Sequence, residues 1–336
     1  MTSPLTLPVR EGDGEVRLDR FLRRKFPHLA QGRIEQMIRK GQIRIDGERA
    51  RRASDRLQPG MDVFVPPDMA IPTTTGAPRP KVSLEDERFV RDLVIHEDAH
   101  LIALNKPPGI AVQGGSGTTR HLDAMMEAFA DPDHGRPRLV HRLDRDTSGV
   151  LLFGRTPSAA ATLSKSFASR QTTKVYWAVV LGVPHPLSGE IRGWMKKQGS
   201  ARDPDRELVR RAAHGEPDAQ FAITDYEVLS NAGTRASWVA LKPVTGRTHQ
   251  LRFHMAEAGT AIAGDPKYVC DRPPIGGLEE LLHLHARALR IPHPAGGILE
   301  LRAGLPPHIK AAFEALGFDE REEPDPFRPF ADRGGR

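Results

Sequence analysis

Cysteine is almost absent: the 336-residue chain has one, Cys270. A single thiol excludes an internal disulfide framework and every multi-cysteine zinc or iron–sulfur site. Aromatic residues are also sparse, with only three tyrosines and three tryptophans, so a tyrosine that falls inside a motif has few rivals for its role. No apolar run approaches the roughly 18 residues that a membrane-crossing helix needs, and Tyr176–Leu181 is among the longest. The opening MTSPLTLPVREGDGEV has no basic flank followed by an apolar stretch, so no secretory signal is expected. These absences predict a soluble, cytoplasmic protein with no membrane partner.

What is present is enough for a core, with 38% hydrophobic and 27% charged residues. The length suggests about two domains. The net charge of +6 is unevenly placed: residues 1–65 carry fourteen Lys/Arg against nine Asp/Glu, a surplus of five. In that segment Leu18, Phe21, Leu22 and Phe26 have the spacing of an amphipathic helix, and Ile34, Met37 and Ile38 repeat it before Gly41. Ile43 and Ile45 then alternate into Asp46-Gly47, a hairpin dipeptide. Charge alone fits a solvated face equally well as a surface for a polyanion.

Residues 66–84 hold five prolines and three consecutive threonines, a composition expected of an extended linker. From residue 85 to 318 the pattern becomes short β-rich runs between turns, at 93–95, 101–104, 109–112, 150–153, 175–181, 221–229 and 238–241. Helical spacing appears at 159–167 and 309–316. This predicts an α+β domain on a mainly antiparallel sheet. Residues 319–336, charged and rich in Pro and Gly, read as a flexible tail.

Several chemistries fail on spacing. Gly114–Gly117 lacks the Gly-Lys-Ser/Thr of a phosphate loop, and no G-x-S-x-G elbow occurs. His249 with His254, and His283 with His285, lack the i, i+4 spacing of a zincin pair, so no metal site is expected. His283-Leu-His285 reads as an alternating strand with one ring inward. The stretch RLVHRLDRDTSGVLLFGR (138–155) carries more information. It puts Asp144 in a polar turn before a buried strand, flanked by arginines, with Thr147, Ser148 and Gly149 able to form a tight turn. From these residues alone a structural Asx turn and an ionised working carboxylate both remain open.

HRLDRDTSG resembles the HRLDxxTSG motif of the RluA/RluC/RluD family of pseudouridine synthases. Four further blocks keep the family's order: IALNKPPGIAVQGG, KVYWAVVLG, KPVTGRTHQLRFH, and the pair GDPKYV and LHARALRIPHP. Before them, RLDRFL, MIRKGQIRIDGERA and LQPGMDVFVPP resemble an S4 RNA-binding domain. The resemblance covers about residues 14–318. It implies a small S4-like α/β domain (1–65) joined by the linker to a pseudouridine synthase domain (85–318).

The implied reaction turns a uridine about and rejoins it through carbon 5, which needs neither cofactor nor metal. The resemblance makes Asp144 the essential carboxylate, as nucleophile at C1′ or as base for a 2′ proton; either role requires it ionised. It makes Tyr176 the residue that packs on the target base; on pattern alone Tyr176 is equally a core strand residue. It assigns Arg247 to pair with Asp144, with Arg252 the neighbouring alternative. Arg142 takes the place of the arginine that fills the space left by the flipped-out uridine, against a simple salt bridge to Asp144 or Asp146. In the S4-like part it implies phosphate contacts from Arg33, Arg39, Lys40, Arg44 and Arg52. MIRKGQIRIDGERA and LNKPPGIAVQGG look closest to the RluC branch, implying large-subunit ribosomal RNA as partner and a monomeric enzyme. Transfer RNA, or a non-catalytic role in ribosome assembly, are the alternatives. Gly259-Thr260-Ala261 departs from the family's usual Gly-His-Pro, and 185–211 reads as a longer basic loop.

Overall fold

A computed structural model describes residues 5–13, 15–26, 29, 31–69, 82–114, 120–169, 171–198 and 208–333. The expected linker lies mostly outside them. The chain divides into two compact units, 1–80 and 81–336.

The first unit runs β1 (Leu5–Pro8), β2 (Val16–Arg17), α1 (Leu18–Lys25), α2 (Gln31–Arg39), β3 (Arg44–Ile45), β4 (Glu48–Arg49), β5 (Arg56–Leu57) and β6 (Asp62–Val65). Leu18, Phe21 and Leu22 of α1 meet Ile34, Met37 and Ile38 of α2 in a core closed by Ile43, Leu57, Val63 and Val65. The i, i+3, i+4 spacing has put each helix's apolar stripe on one side. Asp46 and Gly47 both have positive φ, 48° and 87°. That is the two-residue turn whose twist matches β3 and β4, which pair antiparallel across it. A four-stranded sheet in the order β1-β6-β3-β4 results. Met69, inside the expected linker, is buried in this core.

The second unit begins with α3 (Leu84–Asp92), capped by Ser83 Oγ accepting from Asp86 N at 3.0 Å. There follow β7 (Val94–Glu97), β8 (Leu101–Lys106), α4 (Leu122–Met125), β9 (Arg138–Leu139), β10 (Ser148–Gly154), α5 (Pro157–Ala168) and β11 (Thr173–Leu181). The remainder is β12 (Ser188–Gln198), β13 (Leu208–Ala212), β14 (Gln220–Ala232), β15 (Ala236–Pro243), α6 (Gln250–Glu257), β16 (Leu284–Pro292), β17 (Ile298–Arg302) and α7 (Pro307–Leu316). An eleven-stranded sheet has the order β13-β12-β14-β15-β11-β16-β10-β8-β7, with β17 on β16 and β9 on β10. Every pairing is antiparallel except β10 with β16. The expected α+β class on a mainly antiparallel sheet is what the chain adopts.

Period-two alternation sorts β11 between two layers. Val175, Trp177 and Val179 face a core with Trp238 and the α7 residues Ile309 and Phe313. Tyr176, Ala178 and Val180 face the opposite layer, with Leu251 and Met255 of α6. Gly149, the last residue of the HRLDxxTSG-like motif, sits where β10 meets β16. Its φ is +111°, and an added Cβ would lie 2.2 Å from the Ala286 carbonyl oxygen. Only glycine allows that approach.

Four expectations need correction. The 185–211 stretch is largely a β-hairpin of β12 and β13, not a loop, with 199–207 outside the described residues. Strand pairing against β14 overrides the low β-propensity of its basic residues. Residues 319–333 are not a loose tail: Phe327 and Phe330 are buried against the Trp177–Trp238 core. Arg302 Nη1 donates to the Pro324 carbonyl at 2.8 Å, which ties the same segment down. His283 and His285 are both fully buried, rather than one inward; two residues apart along extended chain, they share a side. The 109–112 run makes only an isolated bridge, Ala111 to His121.

Candidate active site

A cleft of about 1350 Å³ is lined by Arg142, Asp144, Lys174, Tyr176, Arg247 and Arg252, among others. These six come from three separated pieces of sequence: the loop before β10, strand β11, and the β15–α6 turn running into the start of α6.

The loop is clamped at both ends. His141 stacks on Phe167, ring centroids 4.3 Å apart, and its Nε2 accepts from Leu152 N at 2.9 Å. That bond needs an unprotonated Nε2, and burial pushes the imidazole down to about 3, so the ring is neutral. At the other end Lys106, fully buried at the close of β8, donates from Nζ to the carbonyls of Pro107 (2.9 Å), Arg145 (2.7 Å) and Thr147 (2.8 Å). Burial draws Lys106 down to about 7, against the charges of Asp146 and Asp144, which push it back up. Thr147 N donates to Asp144 O at 3.2 Å, closing the turn, and Gly109 N donates to Arg145 O at 3.0 Å. Ser148 Oγ bonds Nδ1 of buried His285 at 2.9 Å. The turn foreseen around Asp144 exists, but the groups that hold it are Lys106, His141 and His285, which carried no assignment. The available signal was Lys106 and His285, set in β-strands, and His141 at the head of the motif itself.

Held this way, the Asp144 side chain is 32% exposed to the cleft. The cation beside it is Arg252, whose Nη1 lies 3.8 Å from Asp144 Oδ2. Arg252 is 2% exposed, and its Nε and Nη2 donate to Asp265 at 2.8 and 2.6 Å. A two-pronged bond of this kind fixes the guanidinium plane. Burial opposes the Arg252 charge, but Asp265 and Asp144 outweigh it and raise its pKa. Asp265 Oδ1 also accepts from Lys267 N and Tyr268 N, at 2.8 and 3.1 Å.

The expected partner, Arg247, is elsewhere: it is exposed, and its Nε donates to the Phe221 carbonyl at 3.3 Å. The cause is local. Gln250 Oε1 accepts from Thr245 Oγ1 (2.7 Å) and Arg247 N (3.0 Å), while its Nε2 donates to Ile223 O and Thr224 Oγ1. His249 then takes a left-handed conformation, φ 51°, and starts α6. The turn leaves Arg247 at the rim and puts Arg252 in the first turn of the helix, facing in.

Tyr176 lines the same cleft, and burial together with the Asp144 charge pushes its phenol well above its ordinary range. It is a neutral ring, suited to stacking. Arg142 is exposed at the rim, and no salt bridge among the described residues ties it to Asp144 or Asp146. In the first unit Arg33, Arg39, Lys40, Arg44 and Arg52 are all exposed. No group of three His, Cys, Asp or Glu among the described residues is placed to hold a metal ion.

A family model described as RNA pseudouridylate synthase matches residues 100–257, and an S4 domain model matches 16–63. The "Ribosomal large subunit pseudouridine synthase C" of Rickettsia prowazekii is 32% identical over 294 residues, which cover 86% of this chain and 94% of that protein. The chain belongs to the RNA pseudouridylate synthase family. The protein of the same title from Salmonella typhi is 32% identical over 308 residues, 89% of this chain and 92% of its own. The "RNA pseudouridine synthase 4, mitochondrial" of Arabidopsis thaliana is 34% identical over 283 residues, 74% of this chain but 59% of that protein. Among solved structures, "Human RNA Pseudouridylate Synthase Domain Containing 4" superposes with a TM-score of 0.58 at 28% identity, over 70% of this chain and 98% of that one. Asp144, Tyr176, Arg247 and Arg252 all fall within the synthase match, and the five exposed basic residues within the S4 match.

Proposed function

We propose that this family member isomerises uridines of large-subunit ribosomal RNA to pseudouridine in the cytoplasm, with Asp144 as its catalytic carboxylate. One observation carries the reading: a loop-held carboxylate, one-third exposed, lies in a deep cleft beside a fully anchored arginine. Both mechanisms open to Asp144 use it as an anion on the sugar side of the base. The N1–C1′ bond breaks, the base turns, and a C5–C1′ bond forms. The proton on C5 is lost, and N1 ends carrying one. Atoms and electrons balance without an external reductant or oxidant. Tyr176 supplies the surface on which the flipped base stacks, and Arg252 orients the carboxylate. Arg142, exposed in the cleft lining, enters the vacated stack, where a planar guanidinium substitutes for a base. The ribosomal assignment is supported by the relatives titled for the large subunit, two of which align over more than nine-tenths of their own length. The exposed basic residues of the S4 unit fit phosphate contacts.

The experiment is Asp144→Asn, which keeps size and removes charge. Undetectable turnover is expected, with a folded protein and RNA affinity within a few fold. Measurable pseudouridine formation would remove Asp144 from the chemistry. Mapping pseudouridine in a strain without the gene tests the substrate: sites lost from large-subunit RNA support the assignment, and sites lost only from transfer RNA overturn it.

A further inference from the structure

Three of the cations that line the cleft, Arg252, Lys242 and Lys174, are not exposed, and two of these are answered by acids. Arg252 has Asp265 and Asp144. Lys242 has Asp225, at 3.0 Å, with both side chains largely buried. Lys174 has no hydrogen bond or ion pair with any described side chain, although it is partly buried in the cleft wall. Its Nζ faces the turn before α6, 3.6 Å from where a Cβ on Gly246 would stand. On the loop side its charge reaches His141. Burial with no counter-charge draws its pKa down. An ammonium in that position is unfavourable until an anion arrives.

Its place on β11 says which anion. Lys174 and Tyr176 are two residues apart on one strand, so their side chains leave the same face about 7 Å apart. Both line the cleft. With the base on Tyr176 and the sugar at Asp144, a phosphate bonded to that sugar falls within reach of Lys174. We propose that Lys174 is a positioning residue that binds one of the two phosphates flanking the target uridine. The inference rests on the pseudouridine synthase reading of the cleft. It gives the cleft one contact for each part of the flipped nucleotide, and it supplies the charge that Lys174 lacks. A phosphate held there fixes C1′ relative to Asp144 without touching the reacting bonds.

The test uses the full chain and a stem-loop RNA carrying one neutral methylphosphonate, placed 5′ of the target uridine, 3′ of it, or far away. With the wild-type protein, one flanking substitution is expected to raise KM about tenfold, the loss of a single charge-assisted bond. The distant one should not. Lys174→Met should raise KM by a similar factor and lower kcat by less, and Lys174→Arg should recover most of the loss. Combined with Lys174→Met, the sensitive methylphosphonate should cost nothing further. Additive losses would overturn the proposal, as would wild-type protein indifferent to both flanking linkages. That last arm stands even where Lys174→Met does not fold. Wild-type protein that forms no pseudouridine on any RNA would instead refute the underlying reading, a separable result.

Discussion

Lys106 should matter more to turnover than to stability, and the magnitudes show why. Replacing it with Met strands the carbonyls of Pro107 and Thr147, now accepting at 2.9 and 2.8 Å, while the Arg145 carbonyl keeps its bond from Gly109 N. A stranded buried acceptor costs about 1–3 kcal/mol, so the two together cost roughly 2–6 kcal/mol. Against this, the lysine's burial is itself unfavourable. A fall from 10.5 to about 7 corresponds to about 5 kcal/mol at about 1.4 kcal/mol per pH unit. Methionine fills the space without that penalty. The two effects offset, and a net change of no more than about 1 kcal/mol is expected in a urea melt. The loop carrying Asp144 nevertheless loses its anchor, so single-turnover rate at saturating RNA should fall at least tenfold, because an ångström of misplacement at a reacting group is costly. Amide exchange offers an independent view: Gly109 N–H, bonded to Arg145 O, should exchange faster in the variant. A variant that loses stability by 5 kcal/mol or more, or that turns over at the wild-type rate, would refute the argument that Lys106 holds the loop.

Three further outcomes are expected. Arg252→Gln strands the fully buried Asp265 carboxylate and should cost about 3–5 kcal/mol along with turnover, whereas Arg247→Gln at its exposed site should cost under about 0.5 kcal/mol; equal effects in urea melts would contradict the assignment of Arg252. Burial holds His141 and His285 to about 3 and His254 and His283 to about 4, against 6.5. Below pH 6.5 the unfolded chain takes up protons that the folded one cannot, so stability should fall from pH 6.5 toward 4 by up to about 5 kcal/mol per pH unit; urea midpoints that stay flat from pH 7 to 5 would exclude this. A chain beginning at Lys81, which keeps the second compact unit intact, should fold and turn over at saturating RNA. It should bind more weakly, with a salt slope shallower by about 0.7–0.9 for each phosphate that is no longer neutralised; an unchanged slope would move the phosphate-binding groups out of the first unit.

The turn that carries Asp144 was legible because its motif is local: the carboxylate, its turn and the glycine that must cross Ala286 occupy one short run. The first unit was legible for the same reason, its helices being marked by apolar spacing and its hairpin by Asp46-Gly47. The arginine was not. Arg247 and Arg252 are five residues apart in one block, and the choice between them depends on a left-handed His249 and a Gln250 bonded back to β14. No spacing rule carries that information. Phe327 and Phe330 were hidden by the charged, Pro-rich residues around them, although two aromatics three apart suffice to anchor a segment on a tryptophan core. The basic β12–β13 hairpin was hidden because β12 is held by β14, a partner that propensity does not see, and β13 by β12.

The site's buried charges follow one logic. Lys106 and the Arg252–Asp265 pair are nearly or fully out of water, and neither is an efficient way to stabilise a fold, since apolar residues of equal volume often do as well. Each instead has directional bonds that an apolar side chain cannot supply: three carbonyls converge on one ammonium, and two parallel N–H groups meet one carboxylate. The loop is thereby held from below by Lys106, and Asp144 is faced from the side by Arg252. Lys174 is the exception that fits the scheme, a cation in the same cleft whose partner among the described residues is missing. Asp265 is committed to Arg252 and Asp225 to Lys242, and in the role proposed for Lys174 its unmatched charge is left for the nucleotide.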